Sequence, residues 1–188
     1  MILSRAVLAT PLGDMLALDS GEGLCALEFT GPHGAGQSSR LETRLTRLEK
    51  RLQRWFPPHE ITDRDTPTIV LTRAWLDAYF AGTAADSSGL PLDMRGAAFE
   101  KRVWEALRAL APGETTSYGA IAKALGSADG SRAVGAANGA NPVAIIVPCH
   151  RVIGSSGSLV GYGGGLDRKT WLLAHERRWR HEPQPTLF

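Results

Sequence analysis

Asn141-Pro142-Val143-Ala144-Ile145-Ile146-Val147-Pro148-Cys149-His150-Arg151-Val152 is the stretch from which the rest of the chain is read. Its centre is an apolar, β-branched run, the pattern of a buried strand. The run ends at a proline, and directly behind it stand a thiol, an imidazole and a guanidinium. Cysteine is the strongest nucleophile among ordinary side chains once ionised. Cationic neighbours lower its pKa. A reactive cluster at the end of a buried element marks a candidate site on a rigid scaffold. In an extended strand, adjacent Cys149 and His150 would point to opposite faces. Contact between them therefore needs a turn here, or a bridging water. The competing reading of Cys149 is a small buried hydrophobe.

Downstream lies a Gly-rich loop, Gly154 through Gly165, that includes Tyr162, Gly163 and Gly164. It lacks the lysine followed by Ser/Thr of a phosphate-binding loop, so it reads as a flexible segment closing over a pocket. Asp167 is placed to cap a last helix that carries Trp171, Leu172, His175 and Glu176. Glu176 is either a surface charge or the carboxylate that orients His150 in a nucleophile–base–orienter set.

Upstream, Phe99, Val103, Leu107 and Leu110 form the apolar stripe of a helix stopped by Pro112-Gly113. Ser117 is placed to cap a helix from Tyr118 to Leu125, and Ser131 to cap another from Arg132 to Ala140. Two short helices joined by a tight Gly-containing turn are a helix-turn-helix signature. The second helix, Arg132-Ala133-Val134-Gly135-Ala136-Ala137-Asn138-Gly139-Ala140, is almost bare of large side chains. Gly135 and Gly139 each cost it about 1 kcal/mol relative to alanine. Such a helix lets another backbone approach closely, either a ligand's or its own domain's. Arg132 is its one long cation.

The first half reads as a small α/β domain. Strands are expected at residues 6–10, 15–19 and 24–29, with turns between them. A loop spans residues 31–36. Leu41, Leu45, Leu48 and Leu52 then mark one helix face, stopped by Pro57-Pro58. A second helix follows Pro67, with Leu71, Trp75 and Tyr79 on one stripe, and ends near Gly82. Cys25 alternates with apolar residues and reads as core. His33 and His59 sit in loops without metal-ligand spacing, so no metal is assigned. Residues 84–92 form the expected linker. Domain boundaries follow at 1–91 and 92–180, with a tail at 181–188.

The 188 residues are 43% apolar and 21% charged, which describes a globular protein. No apolar run has the length of a membrane span, and the N-terminus lacks a signal-peptide core, so a cytoplasmic protein without a membrane partner is expected. Two cysteines make no disulfide framework, and a reactive thiol suits a reducing compartment. Residues 1–94 carry nine Lys/Arg and twelve Asp/Glu, a net charge of −3; residues 95–188 carry twelve and seven, a net charge of +5. The basic second half suits a polyanionic partner.

Pro148-Cys149-His150-Arg151-Val152 resembles the signature of the O6-alkylguanine-DNA alkyltransferases. Phe99-Glu100-Lys101-Arg102-Val103-Trp104, Thr116-Ser117-Tyr118-Gly119, Ser131-Arg132-Ala133-Val134-Gly135, Asn141-Pro142, Gly161-Tyr162 and Arg168-Lys169-Thr170-Trp171-Leu172-Leu173 resemble that family too, in order and at its spacing. The resemblance implies an α+β fold: a small α/β domain with a ribonuclease-H-like antiparallel sheet plus helices, then a mainly helical, winged helix-turn-helix-like domain. It implies single-use transfer of an alkyl group from O6-alkylguanine in duplex DNA to Cys149, on a flipped base approached from the minor groove, with no cofactor. O4-alkylthymine is a further candidate substrate. By resemblance, His150 acts as base through a water, Glu176 orients it, Tyr118 assists the leaving base and Asn141 stabilises the turn beneath the cysteine. Arg132, Ser131, Ala133, Ala136, Tyr118, Thr116 and Arg151 would meet DNA. Val152, Tyr162, Gly163 and Gly164 would line the base pocket, with backbone carbonyls near Cys149 and Val152 reading the guanine amino group. Gly163 replaces the alanine or serine of many relatives, which implies a roomier alkyl pocket.

The chain ends Gln184-Pro185-Thr186-Leu187-Phe188. This resembles the short peptides by which bacterial repair proteins bind the replication sliding clamp; the competing reading is an idle tail. The protein is expected to be a monomer. Two other functions compete with repair: a turnover thiol hydrolase using Cys149, His150 and Glu176, and a damage-binding alkyltransferase-like protein. Relatives of the latter kind lack the cysteine.

Overall fold

The computed structural model describes residues 1–31, 38–83, 86–127 and 129–179, with backbone alone for 38–45. His33, the side chains of Leu41 and Leu45, and the tail of residues 184–188 lie outside the described residues. The chain divides into two compact units, one of Met1–Ala97 with Pro142–Ile146, the other of Ala98–Asn141 with Val147–Phe188.

Unit 1 is built on β1 (Ile2–Leu8), β2 (Met15–Asp19), β3 (Leu24–Phe29) and β4 (Glu60–Asp63), with α1 (Ser38–Trp55) and α2 (Pro67–Phe80). The sheet order is β3-β2-β1-β4. β1–β2 and β2–β3 pair antiparallel, and β4 adds in parallel beside β1. The first strand starts at Ile2, earlier than its hydrophobic alternation suggests, because β4 gives residues 2–5 a backbone partner. Leu48, Leu52 and Phe56 pack on Leu3, Leu18, Cys25 and Ala26, so the leucine row of α1 is core where its side chains are described. Cys25 donates to the Leu18 carbonyl, and burial pushes its thiol up to about 12, which leaves it inert.

The sequence mistook the buried face of α2. Ile69, Thr72, Leu76 and Tyr79 are inside, while Leu71 is half exposed. Thr72 can enter the core because its hydroxyl bonds the Thr68 carbonyl. The expected linker is also no free segment at its end. Leu92 bridges Leu24, and Pro91 and Asp93 bond the Leu24 backbone. An added Cβ on Gly23 would lie 2.8 Å from Pro91 backbone atoms, so glycine is what admits this contact.

Unit 2 holds α3 (Ala98–Arg108), β5 (Thr116–Ser117), α4 (Tyr118–Ala124), α5 (Ser131–Gly139), a 3₁₀ turn (Cys149–Arg151), β6 (Val152–Ile153) and α6 (Leu166–Trp179). β5 and β6 pair in parallel. Ser117 caps α4, its hydroxyl accepting from the Ala120 N–H at 3.1 Å. Ser131 does not cap α5. It is the first helical residue, behind Gly130, where a Cβ would meet Ser127 Oγ at 2.4 Å. Asp167 likewise lies inside the first turn of α6, where its charge faces the positive end of the helix dipole. Trp104 is fully buried, and its Nε1–H donates to the Ala137 carbonyl at 2.9 Å, tying α3 to α5.

The stretch 141–152 is buried as expected, but it is not a strand. Before Val152, which opens β6, the described bridge is that of Val143 to Leu27. The backbone then folds tightly: Ile146 N–H bonds the Ala144 carbonyl, Cys149 N–H the Val147 carbonyl, and Ile145 takes φ +71°. A β-branched residue in that region costs on the order of 1–3 kcal/mol, so the surroundings must impose it. Asn141 supplies one fixing bond, Nδ2–H to the Val147 carbonyl at 2.7 Å. Among the described residues no helix is long and apolar enough to cross a membrane.

Candidate active site

The fold converts the adjacency of Cys149 and His150 into a shared turn. Both lie on the 3₁₀ turn with Arg151, held by Arg151 N–H to the Pro148 carbonyl at 3.0 Å. Cys149 is 7% exposed and His150 fully buried. His150 Nε2 lies 2.8 Å from Glu176 Oε1. An ionised carboxylate accepts only, so Nε2 carries a proton; in the uncharged imidazole the lone pair is then on Nδ1. His150 Nδ1 is buried and has no hydrogen-bond partner among the described residues.

Glu176 is fully buried in α6, and its carboxylate accepts hydrogen bonds on both oxygens. Its Oε1 takes His150 Nε2 and Arg151 Nη2, both at 2.8 Å. Its Oε2 takes Arg151 Nε at 2.9 Å and the Gly113 backbone N–H at 3.0 Å. Burial alone would raise its pKa; the bonds and charges of His150 and Arg151 outweigh that and hold it below the usual carboxylate range. His150 is pushed the other way. Burial lowers it first, Glu176 opposes this, and the Arg151 and Lys169 charges lower it further.

Arg151 was expected at the DNA surface and is not there. It is 6% exposed, and its guanidinium is used up on Glu176 and the Leu110 carbonyl. The expected DNA residues of α5 do lie on one open face: Ser131, Arg132, Ala133 and Ala136 are exposed, while Val134, Ala137 and Asn138 are buried. Tyr118 and Thr116 are half-buried. The Tyr118 hydroxyl reaches the Val160 carbonyl at 3.4 Å. Burial, and then the Cys149 charge, raise the phenol's pKa, so it stays a proton donor. Tyr162 sets its ring edge-on to His150, with centroids 6.4 Å apart. The Val152 carbonyl, expected to face a base, accepts Lys169 Nζ at 2.6 Å.

Lys169 is a site residue that sequence reasoning left without a role. It is fully buried, and its three ammonium protons match three carbonyls: Val152, Val160 at 2.7 Å and Gly161 at 3.2 Å. It thereby fastens the loop before α6 onto β6. Burial lowers its pKa, opposed by Cys149. The signal was present in the spacing, since Lys169, Leu172, Leu173 and Glu176 fall on one helical stripe. Asn138 was also missed: its Nδ2 approaches the Cys149 carbonyl at 3.5 Å, and its Oδ1 is buried without a partner among the described residues. Among the described residues no cluster of His, Cys, Asp and Glu could hold a metal.

Fold and site define a class: a two-unit α+β protein whose second unit joins a small-residue helix to a buried cysteine beside a His–Glu–Arg cluster. Two family models match it, the 6-O-methylguanine DNA methyltransferase ribonuclease-like domain over residues 3–94 and the DNA-binding domain over residues 98–178. A methylated-DNA–protein-cysteine methyltransferase of Mycolicibacterium paratuberculosis is 59% identical over 114 residues, 60% of this chain and 67% of that one. The Salmonella typhimurium protein of the same name is 54% identical over 98 residues, 52% of this chain and 57% of its own. The crystal structure of Mycobacterium tuberculosis O6-methylguanine methyltransferase superimposes with a TM-score of 0.74 at 36% identity, covering 96% of this chain and 95% of that one. That protein's complex with DNA gives 0.72 at 37% identity, covering 95% and 94%. The chain belongs to the 6-O-methylguanine DNA methyltransferase family.

Removing the Glu176 charge should expose the energetics of the cluster. Glu176→Gln leaves Arg151 buried without a counter-charge, a loss of about 3–5 kcal/mol. The native carboxylate titrates below its usual 4.5, so its contribution is present above that pH and declines as pH falls below it. Urea denaturation at pH 7 should show the full gap between wild type and Glu176→Gln, narrowing below about pH 4.5. A gap under about 1 kcal/mol at pH 7 would mean that water already screens the cluster.

Proposed function

We propose that this protein repairs O6-alkylguanine in duplex DNA by irreversible transfer of the alkyl group to Cys149. The observation that carries this reading is the Cys149 thiol on one turn with His150, whose Nε2 is bound to Glu176 and whose Nδ1 is free to take a proton. The Cys149 proton passes to Nδ1 through a water. The thiolate attacks the alkyl carbon in line, forming an S–C bond as the C–O6 bond breaks. The bond's electron pair leaves with guanine, and Tyr118 assists its protonation; an anionic purine leaves badly without such help.

O6 is unreachable to a buried thiol while the base is stacked, so the nucleotide is flipped out. The exposed face of α5, with Arg132 and small neighbours, suits close approach in the minor groove. Arg132 fills the gap left by the base, and Thr116 is a further DNA contact in this reading. Tyr162, Gly163, Gly164 and the Val152 segment line the pocket, and O4-alkylthymine is a second candidate for it. The product thioether is inert, so each molecule acts once, and a monomer suffices. A turnover hydrolase would use the same three residues, but the open α5 face gives it no purpose. A binding-only protein would need no thiol.

The decisive test is titration with duplex DNA carrying one O6-methylguanine with a labelled methyl. One methyl per protein, on the Cys149 peptide and absent from Cys149→Ser, is expected. Many methyls released per protein would establish a hydrolytic route, and tight binding without transfer a damage sensor.

Gly163 lacks the side chain many relatives place there, so large alkyl groups should fit. Gly163→Ala is expected to slow benzyl transfer more than methyl transfer. Equal effects on both rates would refute the roomier pocket.

Residues 184–188 are proposed to dock in a hydrophobic cleft of the sliding clamp through Gln184 and the Leu187-Phe188 pair. Deleting them should abolish clamp binding while leaving methyl transfer intact. Binding unchanged by the deletion would show the tail to be idle.

A further inference from the structure

We propose that Arg151 is a positioning residue that neutralises Glu176, keeps His150 in its uncharged, Nε2-protonated form, and so sets the acid edge of thiol activation. The inference rests on the transfer reading above and adds a residue to it. A lone carboxylate 2.8 Å from a buried imidazole favours the charged imidazolium. In that state Nδ1 carries a proton and can accept none from Cys149. The site would be assembled and inactive.

Arg151 removes this outcome by geometry. Its guanidinium engages both oxygens of Glu176, Nε to Oε2 at 2.9 Å and Nη2 to Oε1 at 2.8 Å. A planar fork on a carboxylate fixes direction as well as charge. The pair is neutral overall, so the Arg151 charge offsets part of the pull of Glu176 on the imidazole. The other groups facing His150 point the same way. Lys169, from the same helix as Glu176, adds positive charge, and Tyr162 presents an uncharged ring edge. On the turn itself only Cys149 can become negative, and it does so as it gives its proton to this base. His150 titrates below its usual value chiefly because it is buried; Glu176 opposes this, and the Arg151 and Lys169 charges add to the lowering.

The order of residues on the turn also fits. Nucleophile, base and counter-charge occupy Cys149, His150 and Arg151 in succession, and one carboxylate from α6 meets the last two. Glu176 therefore orients the base without charging it, because Arg151 arrives with it.

The test compares the pH dependence of methyl transfer in wild type, Arg151→Gln and Arg151→Lys. In wild type the acid limb should lie below His150's usual 6.5. Arg151→Gln removes the charge and should move the limb up by about one unit or more. Arg151→Lys keeps the charge without the fork and should restore most of the shift, even where its overall rate is lower. A uniform fall in rate across pH in Arg151→Gln, with the limb unmoved, would reduce Arg151 to a packing role and overturn the proposal.

Histidine ¹⁵N spectra of the wild-type protein, free of DNA, provide an arm that survives misfolding of the variants. His150 should be neutral with a protonated Nε2 at pH 7, and an imidazolium there would overturn the proposal. Failure of wild type to transfer a methyl group would instead sink the repair reading, and the spectra would still decide the charge state of His150.

Discussion

The Glu176 carboxylate is the constraint on which unit 2 depends. A buried carboxylate costs several kcal/mol unless its lone pairs are matched. Here they are matched from two other segments: the Gly113 backbone after α3, and the His150 and Arg151 side chains of the 3₁₀ turn. The cost of burying the charge becomes a specification of geometry. These donors tie α6, the Gly113 turn and the cysteine-bearing turn to one carboxylate. The nucleophile is held firmly without taking part in these bonds.

Lys169 makes a second such specification two helical turns earlier. An ammonium has three protons, and three carbonyls receive them. Two of those carbonyls, Val160 and Gly161, belong to the loop before α6, and the third to β6. The same helix face thus carries an anion that orders the base and a cation that orders the loop. Burial lowers the pKa of this cation, and Cys149 lies close enough to oppose that lowering. Opposite charges on one buried stripe are expensive apart from their partners, which is a reason to read them as functional rather than as packing.

Much of this was legible in the sequence because residue identity carries it. The thiol, imidazole and carboxylate are the residue types the chemistry requires; His150 and Glu176 are hydrogen-bonded, and Cys149 shares the turn of His150. The small residues of α5 left two uses open, close approach by a ligand or packing within the domain; Ser131, Arg132, Ala133 and Ala136 are exposed, while Ala137 and Asn138 are packed inside. What failed was inference from hydrophobicity to conformation. Residues 143–147 are apolar because they are buried, and the strand pattern follows from burial alone. Their turns come from Asn141 reaching Val147 and from a positive φ at Ile145, neither visible in an apolar count. Arg151 was misplaced for a related reason. A guanidinium reads as a surface cation until its carboxylate is known, and that carboxylate is 25 residues away. Thr72 entered the core through a local backbone bond that polarity scales ignore.

Helix α5 shows how the fold offsets a sequence that is poor in itself. Nine residues with two glycines would not persist as a free helix, where nucleation and glycine entropy both oppose it. Its stability has to come from the buried side, where Val134, Ala137 and Asn138 pack and Trp104 bonds the Ala137 carbonyl. That arrangement frees the opposite face from any structural duty. An Ala or Gly there contributes little to holding the helix and presents almost no bulk to a partner. An added Cβ on Gly139 would meet nothing, whereas one on Gly135 would rest 3.8 Å from the Tyr118 ring. Neither glycine is therefore forced by lack of space: the Gly139 position is open, and the Gly135 position would allow an ordinary van der Waals contact with the Tyr118 ring. Under the repair reading, the helix that meets DNA packs beside the phenol that meets the base.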